Sequence, residues 1–134
     1  MDTLPFRPHD PDALFTETEG LVQLYDDELL LQLETKDALL GKFKRSSEVR
    51  LPLDEISSVE YRAGWFRTQI TLQAHSVQIV SDFPGSRLGS IRLRFRRKYR
   101  EEAAHLAEMI EESVQDLRAQ MEYDDDLGSL PPSS

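Results

Sequence analysis

The period of the sequence changes inside the segment SIRLRFRRKYREEAAHLAEMI, residues 90–110. As far as Phe95 every second residue is apolar and the residues between are polar, which is the pattern of a β-strand with one buried face. Beyond Tyr99 apolar residues recur at steps of three and four, which is the spacing of one face of an α-helix. The segment therefore predicts a final strand followed directly by a helix over residues 99–121.

The residues before this segment share the strand period and are divided by short turns. Six further runs predict strands: GLVQLY (20–25), ELLLQLE (28–34), EVRLPL (48–53), SSVEYR (57–62), FRTQITLQ (66–73) and SVQIV (76–80). Only two residues separate the first two runs, which is the spacing of a tight hairpin. With the final strand, these runs predict a mainly β fold of about seven antiparallel strands, in a barrel or sandwich capped by one C-terminal α-helix.

Length and composition indicate one domain. The 134 residues lie within the size of a single folded unit, and 39% of them are hydrophobic, which is enough to form a core. Three prolines and the lack of a sustained period predict that residues 1–18 form a disordered or extended arm. Acids, glycine and prolines predict a disordered acidic tail at 122–134. Residues 19–121 are then the folded domain.

The composition also excludes several classes of chemistry. The chain has no cysteine, which rules out disulfides and thiolate metal sites, and its three histidines lack a spacing typical of metal ligands. Its carboxylates fall in predicted turns and tails, whereas acid–base catalysis needs a shielded carboxyl group. Catalysis, a metal and a cofactor are therefore not expected. The sequence shows neither a long apolar run nor a signal-peptide pattern, which predicts a cytoplasmic protein without a transmembrane segment.

Charge is divided unevenly along the chain. The net charge is −9, yet residues 41–100 carry 13 basic and 5 acidic side chains. Arginines two residues apart on the final strand share one face at a spacing of about 7 Å and could bind phosphate or carboxylate groups. The alternative is that acids of the same chain neutralise them. The predicted binding residues are Arg87, Arg92, Arg94, Arg96, Arg97 and Lys98, with Lys42, Lys44 and Arg45 in an earlier connection.

Two loops are further candidates for contacts. Trp65 and Phe66 follow Gly64 at a predicted hairpin tip, where Trp65 could anchor a partner. The alternative places Trp65 over one end of the barrel and Phe66 on the buried face of its strand. The loop at residues 84–90 could form a backbone nest for an anion beside Arg87, or it is an ordinary connection between strands.

The predicted helix is longer than one corner of a barrel requires, which is about four turns. Its apolar stripe continues through Val114, Leu117 and Met121, where we expect no barrel surface to remain. The stripe predicts a homodimer in which the last turns of two helices meet. The alternative is that Leu14 and Phe15 of the N-terminal arm cover it.

The strand order, the segment PLDEISSVEY (52–61) leading into the hairpin around Gly64, and the terminal helix resemble the pleckstrin homology-like (PH-like) family. The resemblance covers about residues 20–113 and is strongest to small stand-alone bacterial members. It implies a PH-like fold and a binding module for phosphoinositides, peptides or partner subunits. Members that bind phosphoinositides carry a basic motif on the first hairpin, whereas this chain has Asp26, Asp27 and Glu28 there.

The expected function is a non-catalytic binding or scaffolding module that recognises a protein partner, or a second copy of itself, through the basic last strand. The alternative is a peripheral binder of anionic lipid headgroups that uses the same surface with Lys42, Lys44 and Arg45. Nucleic acid is not expected as a partner, because the acidic ends of the chain would compete with phosphates for the basic strand.

Overall fold

A computed structural model describes residues 3–11, 13, 16–37 and 44–129 of the chain. Its strands are β1 (Leu4–Pro8), β2 (Thr16–Leu24), β3 (Glu28–Asp37), β4 (Lys44–Pro52), β5 (Ile56–Ala63), β6 (Thr68–Ala74) and β7 (Ser90–Phe95). The α-helix is α1 (Arg100–Ser129), and short 3-10 turns lie at Leu53–Glu55, Val77–Val80 and Arg97–Tyr99. The prediction of a mainly β fold with seven antiparallel strands and one C-terminal helix is confirmed.

The seven strands form one antiparallel sheet in the order β4-β3-β2-β1-β7-β6-β5. Although β4 and β5 are consecutive in the chain, they are the two edges of the sheet and do not pair with each other along their described residues. The sheet is therefore open: the predicted barrel or sandwich takes the form of one sheet that does not close on itself. Helix α1 packs against β5, β6 and the turn Leu53–Glu55, so it covers the β5 side of this opening.

Strand β1 lies inside the segment that the sequence assigns to a disordered or extended arm. It pairs with β2 along Leu4–Phe6 and with β7 along Arg7–Pro8. Each proline of β1 is therefore paired on one side only, which removes the usual objection to proline in a central strand. The side chain of Phe6 is buried, and its ring lies 6.0 Å from that of Phe83 and 6.3 Å from that of Phe95.

Two other segments differ from the predicted pattern. The run SVQIV, assigned to a strand, forms the 3-10 turn Val77–Val80, in which Val80 is buried and Val77 is exposed. Helix α1 extends to Ser129, through residues assigned to the acidic tail, because no glycine or proline interrupts the sequence before Gly128. The count of seven strands holds because β1 takes the place of the SVQIV run.

The apolar stripe of α1 is covered by the chain's own sheet for most of its length. Val114 is 5% exposed within the core, and Leu117 packs against the core from outside. The guanidinium group of Arg118 donates to the carbonyl oxygens of Ile56 at 3.2 Å and Ser57 at 2.8 Å. The expectation that Val114 and Leu117 lie beyond the chain's own surface is therefore corrected, since the start of β5 holds this turn of the helix.

Met121 alone of the three stripe residues is mainly exposed, at 51%. Leu14 and Phe15, which the alternative places over the stripe, lie outside the described residues. The homodimer stays a prediction. Of the three stripe residues predicted to form its apolar contact, only Met121 remains mainly exposed.

Gly20 of β2 lies against the ring of Phe6. A Cβ atom at Gly20 would overlap Cζ of Phe6 and lie 2.6 Å from its Cε1. The ring cannot retreat easily, because Phe83 and Phe95 pack against it. Glycine at this position is what lets β1 and β2 pair while Phe6 enters the core.

We expect Gly20→Ala to lower the free energy of unfolding by about 1–3 kcal/mol, because the added methyl group overpacks this contact. In a Phe6→Leu background, which lacks Cζ and the Cε atoms of the ring, the same substitution should be less destabilising. Urea unfolding of the four proteins measures both values. An equal loss in the two backgrounds would contradict the contact between Gly20 and Phe6.

Candidate functional site

Two arginines of β7 point away from the core. Ile91, Leu93 and Phe95 are buried, so the residues that alternate with them, Arg92 and Arg94, lie on the outward face of the sheet, where they are half-buried. In the register of the sheet, Arg94 lies opposite a residue of β1 on one side and a residue of β6 on the other. The prediction that the last strand presents arginines on one outward face is confirmed.

Residues from two other elements join these arginines. The backbone N–H of His9, which follows β1, donates to the carbonyl oxygen of Arg92 at 3.0 Å. The ring Nε2 of His9 lies 3.4 Å from Nη2 of Arg94. Arg67, from the connection between β5 and β6, contributes a third positive charge near Arg94. We call Arg67, Arg92, Arg94 and His9 the arginine cluster.

The cluster shifts the protonation of its own members. Partial burial lowers the pKa of His9, the positive charges of Arg94, Arg92 and Arg67 lower it further, and Asp10 opposes them. Partial burial also lowers the pKa of Arg94, with Arg67 and Arg92 adding to the shift. Arg94 nevertheless remains charged at physiological pH. Like charges are thus held close together in a partly dehydrated place.

The arginines of the cluster have no direct acidic partner in the described part of the chain. Other arginines of the sheet do form salt bridges: Arg7 with Glu19 at 3.1 Å, Arg50 with Glu48 at 3.0 Å and Glu28 at 3.3 Å, and Arg62 with Glu60 at 3.3 Å. Arg67, Arg92 and Arg94 form none with another described residue. The alternative that the chain's own acids pair with the basic strand is therefore not realised for these three among the described residues.

A groove of about 1200 Å³ borders the cluster. Its lining includes Phe66, Arg67, Arg94 and Arg96 on the β7 side and Glu19, Glu34 and Glu48 on the side of β2, β3 and β4. Arg67 and Arg94 therefore belong both to the cluster and to the groove. The β7 side of the groove carries arginines, whereas on the other side Glu19 and Glu48 form salt bridges with Arg7 and Arg50. The space is large enough to take an extended peptide segment.

A smaller depression of about 430 Å³ lies at the other end of the cluster, lined by Pro11, Gly85, Ser86, Arg87 and Arg92. Gly85 has φ +79°, and a Cβ there would overlap the carbonyl oxygen of His9 and lie 2.9 Å from Cα of Asp10. The connection between β6 and β7 therefore lies directly against the residues that follow β1. This packing helps to hold His9 over β7.

The nest considered for residues 84–90 is not present. The backbone N–H groups of Ser86, Arg87 and Ser90 donate to the carbonyl oxygens of Phe83, Ser90 and Arg87, each at 3.0 Å. These amides are therefore used inside the loop and do not form an anion nest. The loop is a connection between strands, and its contribution to the surface is the exposed side chain of Arg87.

The remaining predicted binding residues fall into two groups. Arg96, Arg97 and Lys98 continue from β7 into the turn Arg97–Tyr99, where all three are exposed, and Nζ of Lys98 lies 5.0 Å from the centroid of the Tyr99 ring. They extend the basic surface beyond the cluster.

The earlier basic run lies elsewhere. Arg45 is on β4, opposite Thr35 of β3, and three strands separate β4 from β7. The backbone of Lys44 begins β4, and Lys42 lies outside the described residues. Arg45 is therefore not part of the basic surface formed by β7.

The tip of the β5–β6 hairpin exposes both of its aromatic residues. Trp65 and Phe66 are each 78% exposed, with ring centroids 6.5 Å apart and planes nearly perpendicular. The assignment of Phe66 to the buried face is wrong, because β6 begins only at Thr68, which is 1% exposed and takes the first inward position. The backbone N–H of Gly64 donates to the carbonyl oxygen of Arg67 at 2.7 Å and closes the turn.

His9 and Arg67 are the site residues that the sequence pattern does not identify. His9 falls in the segment assigned to an arm, so no strand is expected to bring it to β7. Arg67 reads as one outward polar residue among several, and its distance from β7 depends on the pairing of β6 with β7 across a long connection. Leu4 and Phe6 alternate with Pro5 and Arg7, but two prolines within five residues argue against a strand before His9.

The described residues contain no group of three or more histidine or acidic side chains arranged to hold a metal ion. None of the helical segments described has the length and apolar character needed to cross a bilayer. A scan of protein-family models and searches of curated proteins and of solved structures found no match to the chain. Function is therefore inferred from the charges and shapes of the site.

We expect Trp65→Ala to change the free energy of unfolding by less than about 0.5 kcal/mol, because this side chain has few contacts to lose. Phe95→Ala, in which a 2% exposed ring is removed, should be destabilising by about 3–5 kcal/mol.

Trp65 is the only tryptophan, so a soluble quencher should reduce the fluorescence of the folded protein nearly as well as that of the unfolded chain. A large loss of stability in Trp65→Ala would show that the ring is packed.

Proposed function

We propose that the protein is a non-catalytic binding module with a PH-like fold that recognises an acidic segment of a protein partner through the arginine cluster. The observation that supports this proposal is that Arg67, Arg92 and Arg94 are close together without a salt bridge to any described acid. A strand order with β1 between two halves of the sheet, and a helix after β7, supports the PH-like part of the proposal.

The electrostatics of the cluster favour an anionic partner. Like charges repel each other more strongly at the effective dielectric constant of a protein surface than in bulk water, so the charges of Arg67 and Arg92 disfavour the charge of Arg94. An acidic group from a partner would remove this repulsion and accept hydrogen bonds from arginine. Guanidinium groups hold their protons at physiological pH, which suits recognition rather than proton transfer.

The groove gives the proposed partner an orientation. Acids of a bound segment would lie over Arg67, Arg94 and Arg96, and a base of the same segment would lie on the side that carries Glu19, Glu34 and Glu48, where Glu19 and Glu48 also contact Arg7 and Arg50. A segment bound in the reverse direction would place like charges together. Opposite charges on the two sides therefore provide specificity in addition to affinity.

We expect Arg92→Gln/Arg94→Gln to reduce capture of the native protein partner from a cell lysate by at least about tenfold, because truncating buried interfacial charges typically weakens binding by 2–5 kcal/mol. Arg50→Gln/Arg62→Gln is the matched control: it removes the same charge from two arginines that already pair with acids. Quantitative mass spectrometry of tagged baits measures the captured protein. Equal loss in both variants, or none in either, would contradict the proposal.

A second candidate function is binding to an anionic lipid surface, and the hairpin tip favours it. Trp65 and Phe66 protrude beside Arg67, and aromatic rings with neighbouring cations are typical of groups that enter the interface of a bilayer. The acids on the other side of the groove, and the net charge of −9, oppose this approach to an anionic membrane. Lipid binding is therefore the alternative rather than the main proposal.

If the lipid alternative holds, the protein should float with vesicles of phosphatidylcholine and phosphatidylserine but not with phosphatidylcholine alone. Trp65→Ala/Phe66→Ala should then abolish flotation, because the tip would supply the apolar part of the contact. Met121→Ala is the control, since it removes an exposed apolar side chain at another place. Flotation that is absent with both vesicles, or equal in all variants, would exclude lipid binding through the tip.

A further inference from the structure

The arginine cluster carries more positive charge than one carboxylate can balance. The charges of Arg67 and Arg92 lie close enough to Arg94 to contribute to the lowering of its pKa, and none of the three arginines has a salt bridge with a described acid. A carboxylate offers one charge and two oxygens. A phosphate monoester offers a charge of about −1.5 to −2 at pH 7 and three acceptor oxygens.

The cluster also has the geometry of a receptor for one compact anion. Arg92 and Arg94 leave the same face of β7 about 7 Å apart, a distance that two long side chains can close around one group. Arg67 arrives from the β5–β6 connection and His9 from the residues after β1. Three separate elements therefore direct cationic or hydrogen-bonding groups to one partly buried place.

The backbone holds this arrangement in position. The N–H of His9 donates to the carbonyl oxygen of Arg92 at 3.0 Å, which continues the pairing of β1 with β7. Gly85 packs against the backbone of His9 and Asp10 so closely that a larger residue would displace them. The His9 ring stands 3.4 Å from Arg94 as a result of these backbone contacts.

We propose that the arginine cluster binds the phosphate group of a phosphorylated side chain on the protein partner, and that His9 strengthens this binding as the pH falls below neutral. This inference rests on the proposed function, because it names the anion that the partner presents. The partner's phosphate would accept hydrogen bonds from Arg92 and Arg94, and Arg67 would add charge at the entrance of the groove.

The role of His9 follows from the groups that face it. These are Arg92 and Arg94 on β7, Arg67 on the hairpin connection and Asp10 beside it in the chain, while the β6–β7 loop presents the backbone of Gly85. The arginines favour a neutral ring, which can accept a hydrogen bond from Arg94. A bound dianion reverses this preference because it stabilises the imidazolium ion. Binding of the anion therefore raises the pKa of His9, and by linkage binding tightens as His9 takes up a proton.

A phosphorylated side chain fits the surroundings better than a phospholipid headgroup. The cluster borders the groove, and Glu19, Glu34 and Glu48 line the far side of that groove. An anionic membrane laid against this face would meet these carboxylates as well as the arginines. A single phosphorylated segment can place its phosphate on the cluster and pass the acids with neutral or basic residues.

The test uses the full chain and three small probes: N-acetyl-O-phosphoserine amide, N-acetyl-serine amide and N-acetyl-glutamate amide. In NMR titrations the phosphoserine probe should shift the backbone signals of His9, Arg92 and Arg94 and should bind at least about tenfold more tightly than the glutamate probe. The serine probe should cause no shift. The ring signals of His75 and His105, which lie outside the cluster, serve as internal controls and should not respond.

Variants separate the contributions of the arginines and of the histidine. Arg92→Gln/Arg94→Gln should remove binding of the phosphoserine probe, and Arg50→Gln/Arg62→Gln should leave it unchanged. His9→Gln should retain binding at a pH of about 7.5 but lose the increase in affinity between about 7.5 and 6.5, above the second ionisation of the phosphate near 6. A merely structural role of His9 would weaken binding equally at both pH values and would overturn its part of the proposal.

The remaining outcomes distinguish this inference from the function on which it rests. Equal affinity for the phosphoserine and glutamate probes would overturn the phosphate assignment, while partner capture that still depends on Arg92 and Arg94 would leave the proposed function standing. If the protein binds phosphoinositide vesicles and the phosphoserine probe does not displace them, the lipid phosphate binds elsewhere on the protein. Vesicle binding at the cluster without binding of the phosphoserine probe would overturn the assignment to a phosphorylated side chain. Partner capture unaffected by Arg92→Gln/Arg94→Gln would overturn the proposed function itself.

Discussion

The five residues of β1 join the two halves of the sheet, and the rest of the structure depends on how they pair. β1 contacts β2 through its first residues and β7 through its last, so the order β4-β3-β2-β1-β7-β6-β5 exists only while β1 is in place. Phe6 fixes β1 to the core against Phe83 and Phe95, and Gly20 gives it room. His9 lies over Arg94 because it directly continues this strand.

The pairing of β1 with β2 on one side and β7 on the other also explains why unpaired positive charge lies on the β7 side. Arg7 of β1 and Arg94 of β7 face each other in the register, yet Arg7 has a salt bridge to Glu19 of β2. Acids are frequent on β2 and β3, whereas Arg92 and Arg94 take outward positions of β7. Arg7 of β1 can therefore find an acidic partner on the β2 side, whereas the β7 side offers it arginines. Arg94 lies near the positive charges of Arg67 and Arg92, and the ring Nε2 of His9 is 3.4 Å from its Nη2.

The sequence predicts the fold where a strand or helix period is sustained over many residues. It does not predict the whole site, because contacts within the site join segments that are distant in the sequence. The alternation around Leu93 and the change of period at Tyr99 predict β7 and α1, and these identify the arginines of the last strand. A five-residue strand with two prolines has no readable period, so β1 and with it His9 are not predicted. Phe66 follows the alternation of β6 in sequence, but the hairpin turn ends the strand before reaching it. Arg67 lies near Arg94 only through the pairing of β6 with β7, which no local pattern determines.

The repulsion stored in the free cluster is part of the affinity that we propose for it. Folding places the charges of Arg67 and Arg92 near Arg94 and partly removes Arg92 and Arg94 from water, both of which disfavour the free state. The buried contacts of Phe6 and the inward residues of β7 offset this penalty, since they are separate from the charged face. Under the proposed function, an anion bound at the cluster would offset the electrostatic penalty that folding creates there. Under the proposed function the fold is a preorganised receptor, in which the inward side of β7 supplies stability and the outward side supplies recognition.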